Sequence, residues 1–204
     1  MATGVDALDA IVLAAGAGKR FGGGKLTSPW GDGLLLDAAL AAAFASPART
    51  VSVVWGADGR VLEAASRFAS RTGQTRRLRM IHARDHAEGM AASMRAGVEA
   101  LPRDCAGAFI FLGDMPKAPH DVAAKLAQAL ASGAWAAAPV HGERRGHPVL
   151  FGSKLFAVLK TRTGDRGAGQ LLDALGENLA LVPVEDSGVL FDVDVASGRE
   201  AGDR

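Results

Sequence analysis

Three places in this sequence set charged side chains where an apolar run breaks. The first is IVLAAGAGKRFGGGK, Ile11 to Lys25, in which Lys19, Arg20 and Lys25 share a loop with clustered glycines. Glycine permits close backbone approach and positive φ, so successive amide N–H groups can converge on one anion while the cations neutralise it. The chemistry this predicts is retention of a phosphate chain such as a nucleotide triphosphate; a tight strand-to-helix turn with solvated cations is the alternative. The second is Asp114, in Gly113-Asp114-Met115-Pro116 just past an apolar run. A carboxylate there suits Mg²⁺, which takes hard oxygens and keeps phosphate and water in its other positions, although an aspartate before proline also serves as a plain turn. The third is Asp192 and Asp194 in FDVDV. Strand spacing puts both on one side of a pleat, and two like charges repel unless a cation lies between them, so a metal ion or a solvated edge strand would account for the pair.

The glycine loop fails both of the common phosphate motifs. A P-loop needs G-x-x-x-x-G-K-[ST], but Lys25 is followed by Leu26. A dinucleotide fingerprint needs G-x-G-x-x-G, and Gly16-Ala17-Gly18 reaches Phe21 where the third glycine belongs. Nor does an acidic residue close the second strand directly, since Asp58 follows Gly56-Ala57. His82 and His86 are four apart and could share a helical face, but no third zinc ligand accompanies them. His147 stands beside Arg144 and Arg145 at the start of a strand and could line a cleft. Cys105 has no CxxC partner and reads as a packing residue.

The elements that would hold these residues alternate. Ala10–Ala15 is a continuous apolar run, as in a strand covered on both faces. Further strands are predicted at Thr50–Trp55, Arg77–His82, Ala106–Leu112, Trp135–Val140, His147–Phe151, Leu179–Val184 and Val189–Val195. Helices are predicted at Leu34–Ser46, Asp58–Arg71, Met90–Leu101, His120–Ala131, Ser153–Leu159 and Gly167–Leu175, several stopped by Pro or Gly. Alternation of this kind predicts an α/β fold: one three-layer (α/β/α) Rossmann-like domain over residues 1–204, with a mainly parallel sheet, its core at about 10–196 and a polar C-terminal tail. Ligands bind such sheets beyond the carboxyl ends of the strands, where the loop after Ala15 and the Gly113-Asp114 turn would both lie.

Composition narrows the partners. With 204 residues, 49% hydrophobic, the chain can bury a substantial core, and a formal net charge of +1 provides no field for nucleic acid. The first ten residues have no basic segment, and the longest apolar stretch, Leu34–Ala45, contains Asp37 and falls short of the roughly 20 residues that span a bilayer. A single cysteine fits a reducing compartment. The expectation is a cytoplasmic protein that binds small molecules, with no nucleic-acid or membrane partner.

Taken together, these residues resemble the MobA-like nucleotidyltransferases, and within that family the molybdenum cofactor cytidylyltransferases. LAAGAGKRFG, then Lys25 and Pro29-Trp30, is similar to the family's opening L-A-[AG]-G-x-[SG]-x-R-[MF]-G with its later lysine and P-W. EGMAASMRAGV resembles the helix bordering the nucleotide, GDMP the metal-binding turn, RRGHPVLF the family's R-G-[NH]-P-V-L-F, GDRGAGQLL its G-D-x-G-A segment, and FDVDVASGRE its D-I-D-T-P-E-D. The blocks keep the family's order from Leu13 to about Glu200. Met115 stands where glutamine is frequent, Val195-Ala196 replaces Thr-Pro, and Gly18 replaces a common serine.

The resemblance implies a fold of the nucleotide-diphospho-sugar transferase type and transfer of CMP from CTP to the terminal phosphate of molybdenum-molybdopterin, with release of pyrophosphate and with Mg²⁺. It implies nucleotide binding by Leu13, Ala14, Ala15, Gly16, Ala17, Gly18, Arg20, Lys25, Ser93, Gly113 and Asp114, catalytic roles for Arg20, Lys25 and Asp114, and metal binding by Asp114 with Asp194, Asp192 being the other choice. Arg145 and His147 are the candidates for the acceptor. Cytidylyltransferases of the family read L-A-A-G where guanylyltransferases read L-A-G-G, so Ala15 implies CTP rather than GTP. A molybdoenzyme or its maturation chaperone is the implied recipient. The alternatives are a guanylyltransferase, another NTP transferase with a different phosphate acceptor, and a non-catalytic carrier of the molybdenum cofactor, which would have no use for metal carboxylates.

Overall fold

The structure, a computed structural model, describes residues 7–16, 18, 21–164 and 167–193. Strand β1 (Leu8–Ala14) is buried along its whole length, as an apolar run without alternation requires. A small hairpin of β2 (Pro29–Trp30) and β3 (Gly33–Leu34) precedes helix α1 (Leu35–Ala45), and β4 (Val51–Trp55) leads to α2 (Arg60–Arg71). Strand β5 (Leu78–His82), α3 (Met90–Glu99), β6 (Gly107–Leu112) and α4 (Val122–Ala131) continue the alternation. The chain then passes through β7 (Ala136–His141), β8 (Arg144–Arg145), β9 (Val149–Gly152), α5 (Phe156–Thr161), α6 (Gly167–Ala174) and β10 (Leu179–Pro183).

The main sheet runs β10-β7-β9-β6-β1-β4-β5, with β8 hydrogen-bonded to β7. Pairing is parallel except around β9, which opposes β6 and β7, and at β8. The expected α/β/α layering and mainly parallel sheet are therefore present. Side chains of β1 alternate between the layers. Ala10, Val12 and Ala14 pack with Leu36, Leu40, Val61 and Leu126 of α1, α2 and α4, whereas Ile11 and Leu13 pack with Met94, Val98, Leu159 and Leu171 of α3, α5 and α6. Helix α3 lies close on the sheet: a Cβ at Gly97 would sit 2.8 Å from Ile11 Cγ2. The sparsely buried β5 is an edge strand, in keeping with its alternating arginines.

One expected element is absent among the described residues, residues 194 and 195 lying outside them. Val189–Val195 reads as a strand, but Ser187–Leu190 is a 3₁₀ turn and residues 191–193 join no sheet. Asp186 caps the turn, its Oδ1 accepting from Gly188 N at 2.7 Å. The segment then crosses the strand ends by isolated bonds, His147 N to Val189 O at 2.8 Å and Val193 N to Asp114 O at 3.1 Å, in place of a ladder. Gly188 and Gly146 make this crossing possible, because a Cβ on either would run into the carbonyl of Lys117 or of Val189. The apolar alternation here reports packing of Val189 into the core and not strand pairing. No helix among the described residues is long and apolar enough to cross a membrane.

Candidate active site

In the sheet order, β1 lies between β4 and β6, so the chain leaves β1 toward one side and returns on the other. At that reversal the turn after β6 is bonded to the end of β1, Gly113 N donating to Leu13 O at 3.0 Å. Gly113 itself stands behind the wall, where a Cβ would press on the Leu13 carbonyl at 3.1 Å. Above this junction opens a cavity of about 400 Å³. Leu13, Ala14, Ala15, Gly16, Gly18 and Lys25 line it from the glycine loop, with Ser93 from α3 and Asp114 and Asp192 opposite.

The loop is shaped by hydrogen bonds to one carbonyl, Gly18 O, which accepts from Phe21 N at 2.9 Å and Gly23 N at 3.1 Å. Gly18 takes φ +57° and Gly24 φ +69°, conformations that side-chain-bearing residues rarely adopt, and a Cβ on Gly24 would also strike the Arg60 guanidinium at 2.5 Å. The turn after Gly24 delivers Lys25 to the cavity. There its Nζ donates to Asp114 Oδ2 at 2.7 Å, both side chains being partly buried. The loop cation and the acidic turn thus meet, 89 positions apart in sequence.

A second cavity of about 520 Å³ adjoins the first, sharing Leu13, Met90 and Leu112 as a common wall. Arg145 and His147 line it together with Gln170 and Asp173. Arg145 is paired with the Asp173 carboxylate. His147 Nδ1 is buried with no hydrogen-bond partner among the described residues. Burial holds its pKa below the ordinary histidine value, against the opposing pull of the Ile110 backbone and the Asp114 charge, so the ring is neutral near pH 7.

The other sequence candidates separate. Ala17, Arg20 and Asp194 lie outside the described residues. His82 stacks on Trp55, ring centroids 4.2 Å apart, while His86 bonds to the Ala83 carbonyl and lines the first cavity, so the two do not form a zinc pair. Among the described residues no three His, Cys, Asp or Glu side chains cluster as a metal cage. Asp114 and Asp192 do share the first cavity, which fits a hard cation held by few protein oxygens and completed by phosphate and water. Cys105 is buried beside β6, its Sγ donating to Gly107 O at 3.3 Å, as a packing residue should be. Gly89 and Met90, which no sequence motif marks, also line this cavity, as does Asp58, whose spacing fails a dinucleotide motif.

A glycine-rich loop at the topological switch point, its lysine paired with an acidic turn on the wall of a cavity, is the arrangement of an α/β protein built to hold a phosphorylated ligand. The family model of the MobA-like NTP transferase domain matches residues 10–179. The chain belongs to that family and is an enzyme of the nucleotidyltransferase class. It is 29% identical over 190 residues to the molybdenum cofactor cytidylyltransferase of Escherichia coli (strain K12), covering 93% of this chain and 92% of that protein. Among solved structures it resembles the homologue of Mycobacterium tuberculosis Rv0371c from Mycobacterium sp. strain JC1, with TM-score 0.75, 25% identity, and 93% and 91% of the two chains covered. It also resembles the manganese complex of Rv0371c from Mycobacterium tuberculosis H37Rv, with TM-score 0.68, 21% identity, and 87% and 88% covered.

Proposed function

We propose that this enzyme transfers CMP from CTP to the terminal phosphate of molybdenum-molybdopterin, releasing pyrophosphate. The observation that carries this reading is the pair of adjoining cavities, one with the Lys25–Asp114 pair and one with Arg145 and His147, meeting at Leu13, Met90 and Leu112. Two substrates in these cavities would bring a nucleotide α-phosphate and an acceptor phosphate to one shared wall.

The acceptor is a phosphate monoester, whose second pKa is about 6, so it is largely ionised at neutral pH and needs no general base. Its oxygen attacks the α-phosphorus; the bond to the β-phosphate bridging oxygen breaks, and pyrophosphate departs with that electron pair. The barrier is electrostatic and positional, since a dianion must approach a polyanion. The loop amides and Lys25, with Arg20 as the family pattern implies, stabilise the departing pyrophosphate. Asp114, with Asp192 or Asp194 from the C-terminal segment, would hold Mg²⁺, which supplies charge neutralisation between the reacting phosphates. Ser93 borders the nucleotide. Arg145 and His147 face the acceptor, His147 as a neutral hydrogen-bonding group. Ala15, 2% exposed, fills space that a purine needs and so favours CTP over GTP. The product passes to a molybdoenzyme or its maturation chaperone in the cytoplasm.

The test is incubation of the protein with Mg²⁺, molybdenum cofactor and either CTP or GTP, with pyrophosphate measured. Release with CTP is expected. No release with either nucleotide sinks the transferase reading, and release with GTP alone overturns the role of Ala15.

A further inference from the structure

Two polar side chains on the wall of the nucleotide cavity, Asp58 and His86, have no part in the phosphate chemistry above. Both belong to the region beside Ala15. Ala57 N donates to Ala15 O at 3.3 Å, stitching the turn between β4 and α2 to the glycine loop. His86 closes on the same turn: a Cβ at Gly56 would lie 2.7 Å from His86 Cγ and 2.9 Å from Nδ1, so glycine is what admits the ring.

The hydrogen-bonding state of both groups follows from their other contacts. His86 Nδ1 lies 3.0 Å from Ala83 O, and a carbonyl only accepts, so Nδ1 carries a proton and Nε2 is the ring nitrogen left to accept one. The Nδ1 edge is turned to Gly56 and Ala83, and the ring also lines the cavity. Asp58 is held by Arg60, whose backbone N and Nε donate to Oδ1 at 3.1 and 2.8 Å and whose Nη2 donates to Oδ2 at 2.9 Å. A carboxylate offers about four lone-pair positions, so one remains, on Oδ2. Arg60 is in turn braced against Gly24, which fixes the carboxylate's orientation relative to the phosphate loop.

We propose that Asp58 Oδ2 and His86 Nε2 form the edge of the base site that reads an exocyclic amino group, and that they thereby select cytosine over uracil. The inference rests on the nucleotidyl-transfer reading and adds a base-reading pair to it. Cytosine carries an amino group at position 4, where it can donate to either acceptor. Uracil carries a carbonyl oxygen there, which would set a third acceptor against two others and leave all of them unsatisfied. Purines also bear amino groups, so their exclusion rests on the volume of Ala15 and not on this pair.

Calorimetric titration of the full chain with CTP and with UTP, in Mg²⁺ and without acceptor, tests the proposal. The wild type should prefer CTP by about tenfold or more, the range expected when a polar site is offered the wrong hydrogen-bonding partner. Asp58→Asn and His86→Phe should each shrink that preference by weakening CTP more than UTP, while a circular dichroism spectrum that matches the wild type's reports an intact fold. Equal binding of CTP and UTP to the wild type overturns the proposal, as does a preference that survives in both variants. If neither nucleotide binds, the transferase reading falls as well, so the two failures are distinct.

Discussion

Replacement of Lys25 by methionine should tighten the binding of a divalent metal in the absence of nucleotide. Lys25 Nζ stands 2.7 Å from Asp114 Oδ2, with the two side chains 14% and 31% exposed. At an effective dielectric of about 20, charges at that separation attract by about 6 kcal/mol. Desolvation of both groups and the solvent that still reaches them reduce the net value to about 1–2 kcal/mol. On the proposed metal role of Asp114, a metal ion arriving alone would have to displace the ammonium and lose that increment, a factor of about 5–30 in affinity. On the proposed role of Lys25, triphosphate arriving with the metal would give it a new anionic partner and remove the competition, so nucleotide and metal should strengthen one another's binding by the same factor. In Lys25→Met the competitor is gone. Mn²⁺ binding followed by electron paramagnetic resonance without nucleotide should then be about 5–30 times tighter than in the wild type, while CTP binding weakens and its coupling to metal falls. Metal-only affinity that is unchanged or weaker in Lys25→Met refutes the reasoning, because the ion pair would then not compete for Asp114.

The remaining expectations concern stability. Gly97→Ala adds a Cβ at 2.8 Å from Ile11 Cγ2 and 3.1 Å from Val54 Cγ2. Overpacking of about 2–3 kcal/mol outweighs the roughly 1 kcal/mol that alanine gains in a helix, so a thermal melt should show a net loss of about 1–2 kcal/mol. Arg49→Met leaves Asp9, which is 0% exposed, without the guanidinium that donates to it at 2.9 Å, although Thr50 Oγ1 still donates at 2.9 Å. Urea denaturation should register a loss of about 3–5 kcal/mol, much of it recovered by adding Asp9→Asn. Burial, with the nearby Asp9 charge, pushes the Cys105 thiol up to about 12. Native protein at pH 8 should therefore resist alkylation that the urea-unfolded chain accepts. The unfolded thiol ionises near its ordinary value of about 8.5 while the folded one keeps its proton, so the stability it contributes is full below that pH and drains as pH rises toward about 12. Cys105→Ala should flatten that alkaline slope in urea midpoints.

The sequence by itself determined the alternation of strands and helices, because buried parallel strands such as Ile11–Ala14 and Phe109–Leu112 are written as unbroken apolar runs that glycine or proline stops. It also marked Lys25 and Asp114 as groups out of place beside apolar strands. What it did not contain is their meeting, which depends on β1 and β6 being neighbours in the sheet although β4 and β5 lie between them in the chain. The C-terminal segment shows the limit of periodicity. Val189 to Val193 alternates like a strand, yet Asp186, Gly188 and Gly146 turn it into a strap across the strand ends, a choice made by backbone contacts with Lys117 and Asp114. Asp58 and His86 were invisible as a pair for the same reason. Both line one cavity only because Gly56 leaves room for an imidazole from another loop, and a missing Cβ acquires that meaning only when the neighbouring backbone is in place.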